Sequence, residues 1–421
     1  MGRATTGIDK PQGPARRNCP GSLIYRLNLD VIGGAEVCFA QYAAYRRAQA
    51  RTDTVVVGSS VHPRFASIVE PPFAVVPRDR LRWWHGLRLP RAARGLRARN
   101  AVTQLVRGDT MALLGWNTIG NREIVDISRR ARLPLLHYEH GQAWRTERHH
   151  AHEYLRHVQG VISNSHAAER MLALRWGWSG PTARVYCAID GVLPLRAARA
   201  GVARDRQLWL GIAGRLTELK GHRIALHVLK VLRDVHALDV CLAIAGTGED
   251  EPALRNEADR LGLTRVVRFE GAVADMTAFY DAMDVMLVPS LRESFGRISI
   301  EAQGRGCPVI ATASDGLPET LPAVMHDAAL VSPTWSLEEY AHELGGKADI
   351  GAPYVYDSES DSLLAPRAPT PSDLAAAVAG LVASDARYQQ ASRAGLAHVN
   401  ERFALHDYGP NVDRAIMELA G

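Results

Sequence analysis

Short unbroken apolar runs recur along this chain, spaced by longer segments in which apolar residues return every three or four positions. Six runs fall in the first half: Ser22–Leu27, Thr54–Val57, Phe73–Val76, Met111–Leu114, Leu135–Tyr138 and Gly160–Ser163. Six more follow at Leu208–Ala213, Val240–Ala245, Val266–Phe269, Val285–Val288, Val309–Ala311 and Ala329–Val331. Continuous rather than alternating apolar character suits strands buried on both faces, and the helical segments between them make each series a parallel α/β sheet. The series are separated by Leu193–Gln207, which has no apolar period and reads as a linker. The predicted organisation is a polar start (1–20), a first domain (21–195), a linker (196–206), a second domain (207–397) and a helical tail (398–421) packing toward the first domain. Residues Glu338–Thr370 read as an irregular Gly/Pro/Ser insertion, after which a helix is expected over Ser372–Ala383.

Composition narrows the class without naming a function. With 47% hydrophobic and 23% charged residues, the 421-residue chain reads as a soluble globular protein of two-domain length. Only Lys10, Lys220, Lys230 and Lys347 are lysines among its 50 basic residues, so arginine carries the rest. A net charge of +5 suits anionic small ligands and does not call for nucleic acid. The five cysteines are scattered without a metal-ligand spacing, which points to a reducing, cytoplasmic setting. No secretory leader or transmembrane run is expected. One stretch, Arg80–Arg99, mixes arginines with Trp83 and Trp84 as interfacial helices do, which leaves peripheral membrane contact open against the more favoured solvated arginine face.

The candidate chemistry collects where strands end. The first run leads into Gly33-Gly34 before a helix, which lets backbone approach a ligand or simply makes a tight turn. Leu135–Tyr138 ends in Glu139-His140-Gly141, a position better suited to ligand than to core. In the second series, Arg215, Lys220, Gly246, Gly271, Glu293 and Ser294 all follow strand ends and should gather along one sheet edge, where ligands bind in such folds. Ser294-Phe295-Gly296 reads as a helix start. Glu293 and Glu301 lie eight residues apart, about 12 Å along a helix at roughly 1.5 Å per residue. That is too far for a pair acting on one bond; it suits two acids holding the ends of a long ligand, or a solvated helix face. A sugar nucleotide fits two cations and two acids converging in this way. No Asp-x-Asp pair is present to hold a divalent ion, so Arg215 and Lys220 are expected to neutralise a diphosphate without metal. His149, His150, His152 and His157 have no companion carboxylate or cysteine set and read as a polar helix.

Together, Gly33-Gly34, Glu139-His140-Gly141, Gly214-Arg215 with Lys220-Gly221, Ala245–Gly248, Phe269–Gly271, Glu293/Glu301 and Gly316–Glu319 resemble the retaining family-4, group 1 (glycogen-synthase-like) glycosyltransferases. The resemblance implies a GT-B architecture, two Rossmann-like doubly wound domains facing across a cleft, and transfer of a sugar from a nucleotide diphosphate sugar with retention. It implies that Arg215 and Lys220 bind the diphosphate, Glu301 the ribose and Glu293 the donor sugar. Ser294, Phe295, Gly296, Gly33 and Gly34 would offer backbone amides, and His140 would stand near the sugar. Among members, the chain looks most similar to enzymes moving N-acetylglucosamine from UDP-GlcNAc to the aminocyclitol 2-deoxystreptamine in aminoglycoside antibiotic biosynthesis. The alternatives are a lipid-linked or polysaccharide acceptor at a membrane surface, an epimerase or hydrolase on the same fold, and a non-catalytic sugar-nucleotide binder. Cys187–Gly191 and the insertion at 338–370 depart from the family pattern on the acceptor side.

Overall fold

The computed structural model describes residues 20–57, 60–71, 73–77, 83–84, 87–88, 90, 106–145, 150–189, 197–202 and 205–421. The polar start up to residue 19, Arg80, Arg82, Arg91, Arg94, Arg97, Arg99, His149 and residues 196, 203 and 204 of the expected linker lie outside these residues.

Each apolar series becomes one parallel sheet. The first has seven strands in the spatial order Ala74–Pro77, Thr54–Val57, Ser22–Arg26, Thr110–Trp116, Leu135–Glu139, Val158–Ser163 and Thr182–Arg184. The second has six, in the order Val267–Gly271, Val240–Ala245, Leu208–Ala213, Val285–Val288, Val309–Thr312 and Leu330–Val331. Strand order reverses beside Ser22–Arg26 in one sheet and beside Leu208–Ala213 in the other, which creates a crevice at the strand carboxyl ends of each. Helices cover both faces, so Leu113, Val161, Leu210, Leu242 and Leu287 are fully buried.

The two halves are stitched together by the tail. The last helix, Leu405–Ala420, returns to the first sheet, where Tyr408, Val412, Ala415 and Ile416 join the same apolar cluster as Tyr25, Phe39 and Trp116. A Cβ at Gly160 would lie 2.7 Å from Leu419 Cβ, so strand and helix meet almost backbone to side chain. Tyr42 donates to Asp413 at 2.5 Å, and Arg46 stands 3.6 Å from the same carboxylate.

Two expectations are corrected. The segment read as irregular begins with a helix, Leu337–Leu344, started by a reciprocal capping box between Ser336 and Glu339. It continues into an antiparallel hairpin, Val355–Asp357 with Ser362–Leu364, whose tip residue Asp361 is paired with Arg170 at 2.7 Å. In the basic stretch, the described pieces Trp83–Trp84 and Leu87–Arg88 pair as a small antiparallel ladder, so an interfacial helix does not run through them. Among the described residues, no helix is long and apolar enough to cross a membrane.

Candidate functional site

The strand ends of the second sheet are locked together through backbone. Gly214 N–H donates to Ala245 O and Gly246 N–H to Gly271 O, at 3.0 and 2.7 Å. Gly246 has φ 133° and a Cβ there would sit 1.9 Å from Gly214 O, so packing already demands this glycine. Gly271 has φ 64° with open space around it.

Beside this edge, the Lys220 ammonium pairs directly with the Glu293 carboxylate, both partly exposed. They come from different strand ends, and Lys220 is carried by a single 3-10 turn, Glu218–Lys220. Gly221 follows at φ 69°, where a Cβ would strike Pro289 O at 2.0 Å; this close approach brings the Lys220 turn against the Glu293 loop. The Glu293 amide donates to Asp315 Oδ2 at 3.0 Å, and Gly316 N–H returns to Glu293 O at 3.0 Å.

The helix carrying Glu301 starts at Arg297, one residue after Gly296 at φ 105°, so Ser294 is not its cap. The Ser294 hydroxyl donates instead to His140 O at 3.0 Å, across to the first half. Phe295 is buried against Tyr186 and Phe403, with ring centroids 5.8 and 5.6 Å away, so its side chain belongs to the core. Glu301 is held at both oxygens: Arg297 Nη2 stands 2.9 Å from Oε1 and the Tyr280 hydroxyl donates to Oε2 at 2.7 Å.

The first half presents Gly33-Gly34 to this surface. Gly33 precedes the helix Gly34–Ala48 in extended conformation, and a Cβ on Gly34 would lie 3.4 Å from Arg297 Cδ. Burial raises the Glu36 carboxyl above its ordinary value, and the Arg215 and Arg145 charges draw it back. The Glu36 carboxylate lies beside Gly33, so the Arg215 charge is felt at the glycine loop. His140 is less open to ligand than its strand-end position suggested. Its ring is buried, stacked on Trp116 at 5.2 Å and tilted on Tyr138 at 4.3 Å. Burial, with His137 and Arg297 nearby, pushes it down to about 3, so it is neutral at any ordinary pH. Its Nε2 is buried without a hydrogen-bond partner. Of the His run, His150 and His157 contact Arg122 and Arg129 on the surface, which is the polar setting expected.

Several residues at the site carried no sequence signal of their own, although Glu319 lies in the Gly316–Glu319 segment. Asp315 accepts from Trp144 Nε1 and the Tyr356 amide, both at 2.7 Å, besides Glu293. Burial raises its carboxyl to about 6 against those hydrogen bonds. Arg292 reaches Gly141 O at 2.5 Å and lies over the Trp144 ring. Glu319 caps the helix His166–Trp176 from the opposite half, accepting from His166 and Ala167 at 2.7 and 3.0 Å. Cys38, His140 and Cys187, far apart in sequence, bring their ligand-type atoms within 4.8 Å of one another. A guanidinium hydrogen of Arg297 already points at Cys38 Sγ, 3.3 Å away, and its charge opposes a cation there.

Two Rossmann-like sheets facing across a crevice, with a tail helix returning to the first, make a GT-B fold. Solved structures share it along nearly the whole length. HepE of Anabaena in complex with UDP has a TM-score of 0.69 at 18% identity, covering 94% of this chain and 100% of that chain. The pneumococcal O-GlcNAc transferase GtfA in complex with UDP and GlcNAc has a TM-score of 0.68 at 10% identity, covering 95% and 99%. At these identities the likeness is one of fold. Residues 207–345 match the family model described as "Glycosyl transferases group 1". Curated relatives include the D-inositol 3-phosphate glycosyltransferase of Corynebacterium jeikeium, 38% identical over 117 residues, covering 26% of this chain and 28% of the relative. That of Mycobacteroides abscessus is 33% identical over 185 residues, covering 40% and 41%. The chain thus spans less than half the length of the curated relatives it matches.

Proposed function

We propose that this protein is a retaining glycosyltransferase that moves a sugar from a UDP-sugar, UDP-GlcNAc in the first instance, to a small polar acceptor. The observation that carries this is the Lys220–Glu293 pair at the second sheet's edge, with the Arg215 charge felt at the Gly33-Gly34 loop of the first. A cation and a carboxylate already in contact are poised to exchange each other for a diphosphate and a sugar hydroxyl. In this reading Arg215 and Lys220 take up the charge on the departing diphosphate. Glu293 orients the donor sugar and Glu301 the ribose. Neutral His140 can donate or accept a hydrogen bond at the sugar without adding charge. The bond from the anomeric carbon to phosphate oxygen breaks, the acceptor oxygen bonds to that carbon, and its proton leaves with the phosphate. The cations stand in for a metal, so activity should persist in EDTA.

The group 1 match and the relatives named for inositol 3-phosphate support a small polyol acceptor, a class that includes the aminocyclitol 2-deoxystreptamine. Structural neighbours that hold UDP support the donor base. The test is a melting-temperature screen of UDP-, GDP- and ADP-sugars, since a ligand bound only to the native state raises the midpoint. UDP-GlcNAc is then incubated with 2-deoxystreptamine or inositol phosphate, and the anomeric coupling of the product is read by NMR. Stabilisation by a UDP-sugar and a product of retained configuration are expected. A product of inverted configuration, or free sugar formed at the same rate without acceptor, refutes the reading.

A further inference from the structure

Two thiols lie behind the donor surface. Cys38 lies one turn into the helix that follows Gly33-Gly34, and Cys187 lies just after the last strand of the first sheet. Both are buried and free. Their sulfurs stand within 4.8 Å of each other, and Cys187 Sγ lies 3.9 Å from His140 Nδ1. Arg297, from the other half of the molecule, donates to Cys38 Sγ at 3.3 Å, and its other nitrogens hold Glu301 at 2.9 and 3.2 Å. A thiol that receives a guanidinium hydrogen bond with a second thiol beside it is set up to exist as thiolate. Burial alone would raise Cys38, yet Cys187 and Arg297 bring it down to about 7; Cys187 is raised instead.

We propose that Cys38 and Cys187 form a redox-active dithiol whose oxidation to a disulfide loosens the Arg297–Glu301 clamp at the donor surface. The oxidant is a small hydroperoxide such as hydrogen peroxide. The Cys38 thiolate attacks one peroxide oxygen, the O–O bond breaks, and hydroxide leaves, giving a sulfenic acid. Cys187 sulfur then attacks Cys38 sulfur as the S–O bond of the sulfenic acid breaks. The departing hydroxide takes the Cys187 proton and leaves as water, and the hydroxide of the first step takes up the proton that Cys38 gave to solvent on ionising, forming the second water. Two thiols are oxidised, one peroxide is reduced, and the charge balances. The sulfurs must close from within 4.8 Å to about 2.05 Å for the bond to form. Arg297 belongs to the opposite half, so separation of the halves uncovers Cys38 to the oxidant. The disulfide has no charge to offer Arg297, which then loses one of its anchors. A metal at the same sulfurs would have to sit beside that guanidinium, and this favours the disulfide over a cation site. The chemistry of the pair stands on its own; its consequence for donor binding rests on the function proposed above.

The test treats the full chain with hydrogen peroxide, blocks remaining thiols, and maps peptides by mass spectrometry with and without reductant. UDP affinity is measured on the same samples. A Cys38–Cys187 linked peptide is expected, reversed by dithiothreitol, absent in Cys38→Ser and Cys187→Ala. Oxidised protein should bind UDP about tenfold or more weakly, the usual worth of one charge-assisted hydrogen bond, with recovery on reduction. No linked peptide, stoichiometric zinc bound by these residues in the purified protein, or a linked protein with unchanged UDP affinity each overturns the proposal. If the linked peptide forms but reduced protein binds no UDP, the donor assignment fails and the dithiol does not.

Discussion

Replacing Asp315 by asparagine separates stability from positioning at the donor surface. The carboxylate is buried, yet it accepts from Trp144, Tyr356 and Glu293, and burial raises it from 3.8 to about 6. A raised folded-state value means the protonated form is favoured by folding. The associated stability is therefore full below about pH 4 and lost as pH rises through 6. The whole gap is worth about 3 kcal/mol at 1.36 kcal/mol per pKa unit, of which about 1.3 kcal/mol falls between pH 5 and 7.5. Asparagine keeps one acceptor oxygen, shared by Trp144 and Tyr356, and turns its amide group toward the Glu293 N–H. One buried donor is then unpaired, at a cost of about 1–3 kcal/mol. At pH 7.5 relief of the buried charge offsets that cost, so Asp315→Asn should lie within about 2 kcal/mol of the parent. Its kcat should nevertheless drop, because the Glu293 backbone has lost its acceptor. Urea unfolding at pH 5 and 7.5 is the assay, and the readout is the difference between variant and parent at each pH. A difference that does not change with pH would show that Asp315 is not the titrating group; full activity would show that it does not hold Glu293.

Lys220→Ala and Glu293→Ala should each lower kcat/KM with UDP-sugar by about 10²-fold or more, as removal of a transition-state charge contact does, with unchanged circular dichroism. Gly246→Ala should cost at least about 1–3 kcal/mol in denaturant unfolding, because φ 133° and a 1.9 Å approach to Gly214 O both exclude a methyl group. Glu319→Ala removes a helix cap that crosses between the halves and should cost about 0.5–2 kcal/mol while leaving the glycosyl-transfer rate of folded protein nearly intact. The pH–rate profile should show no step from His140 between pH 5 and 8, and a step there abolished by His140→Asn would contradict its burial against Trp116 and Tyr138.

The sheets were legible because their central strands are buried on both sides and largely apolar, as in Val240–Ala245. The helix Leu337–Leu344 was passed over because glycines and a proline follow it within a few residues, although the Ser336/Glu339 box announced its start. The hairpin beyond it is short, with only Val355 and Tyr356 buried, too little pattern to stand out among turn residues. Strand-end residues such as Arg215, Lys220 and Glu293 could be grouped from sequence because fold topology places strand ends together. Asp315, Glu36 and the Cys38–Cys187 pair could not, since their neighbours come from other elements and no local spacing encodes that meeting. At His140 the position along the strand pointed to ligand, and the structure adds two aromatic neighbours that enclose most of its ring.

The return of the last helix to the first sheet has a consequence for how the chain is made. The apolar face that includes Tyr25, Phe39 and Trp116 is sealed by residues 408–416, which are synthesised after the whole second sheet. The first half is synthesised before the second sheet but completed only after it, with the whole second sheet free to fold in between. Such long-range closure is slow and leaves apolar surface waiting. A chain cut before Leu405 should therefore aggregate through its first half rather than its last.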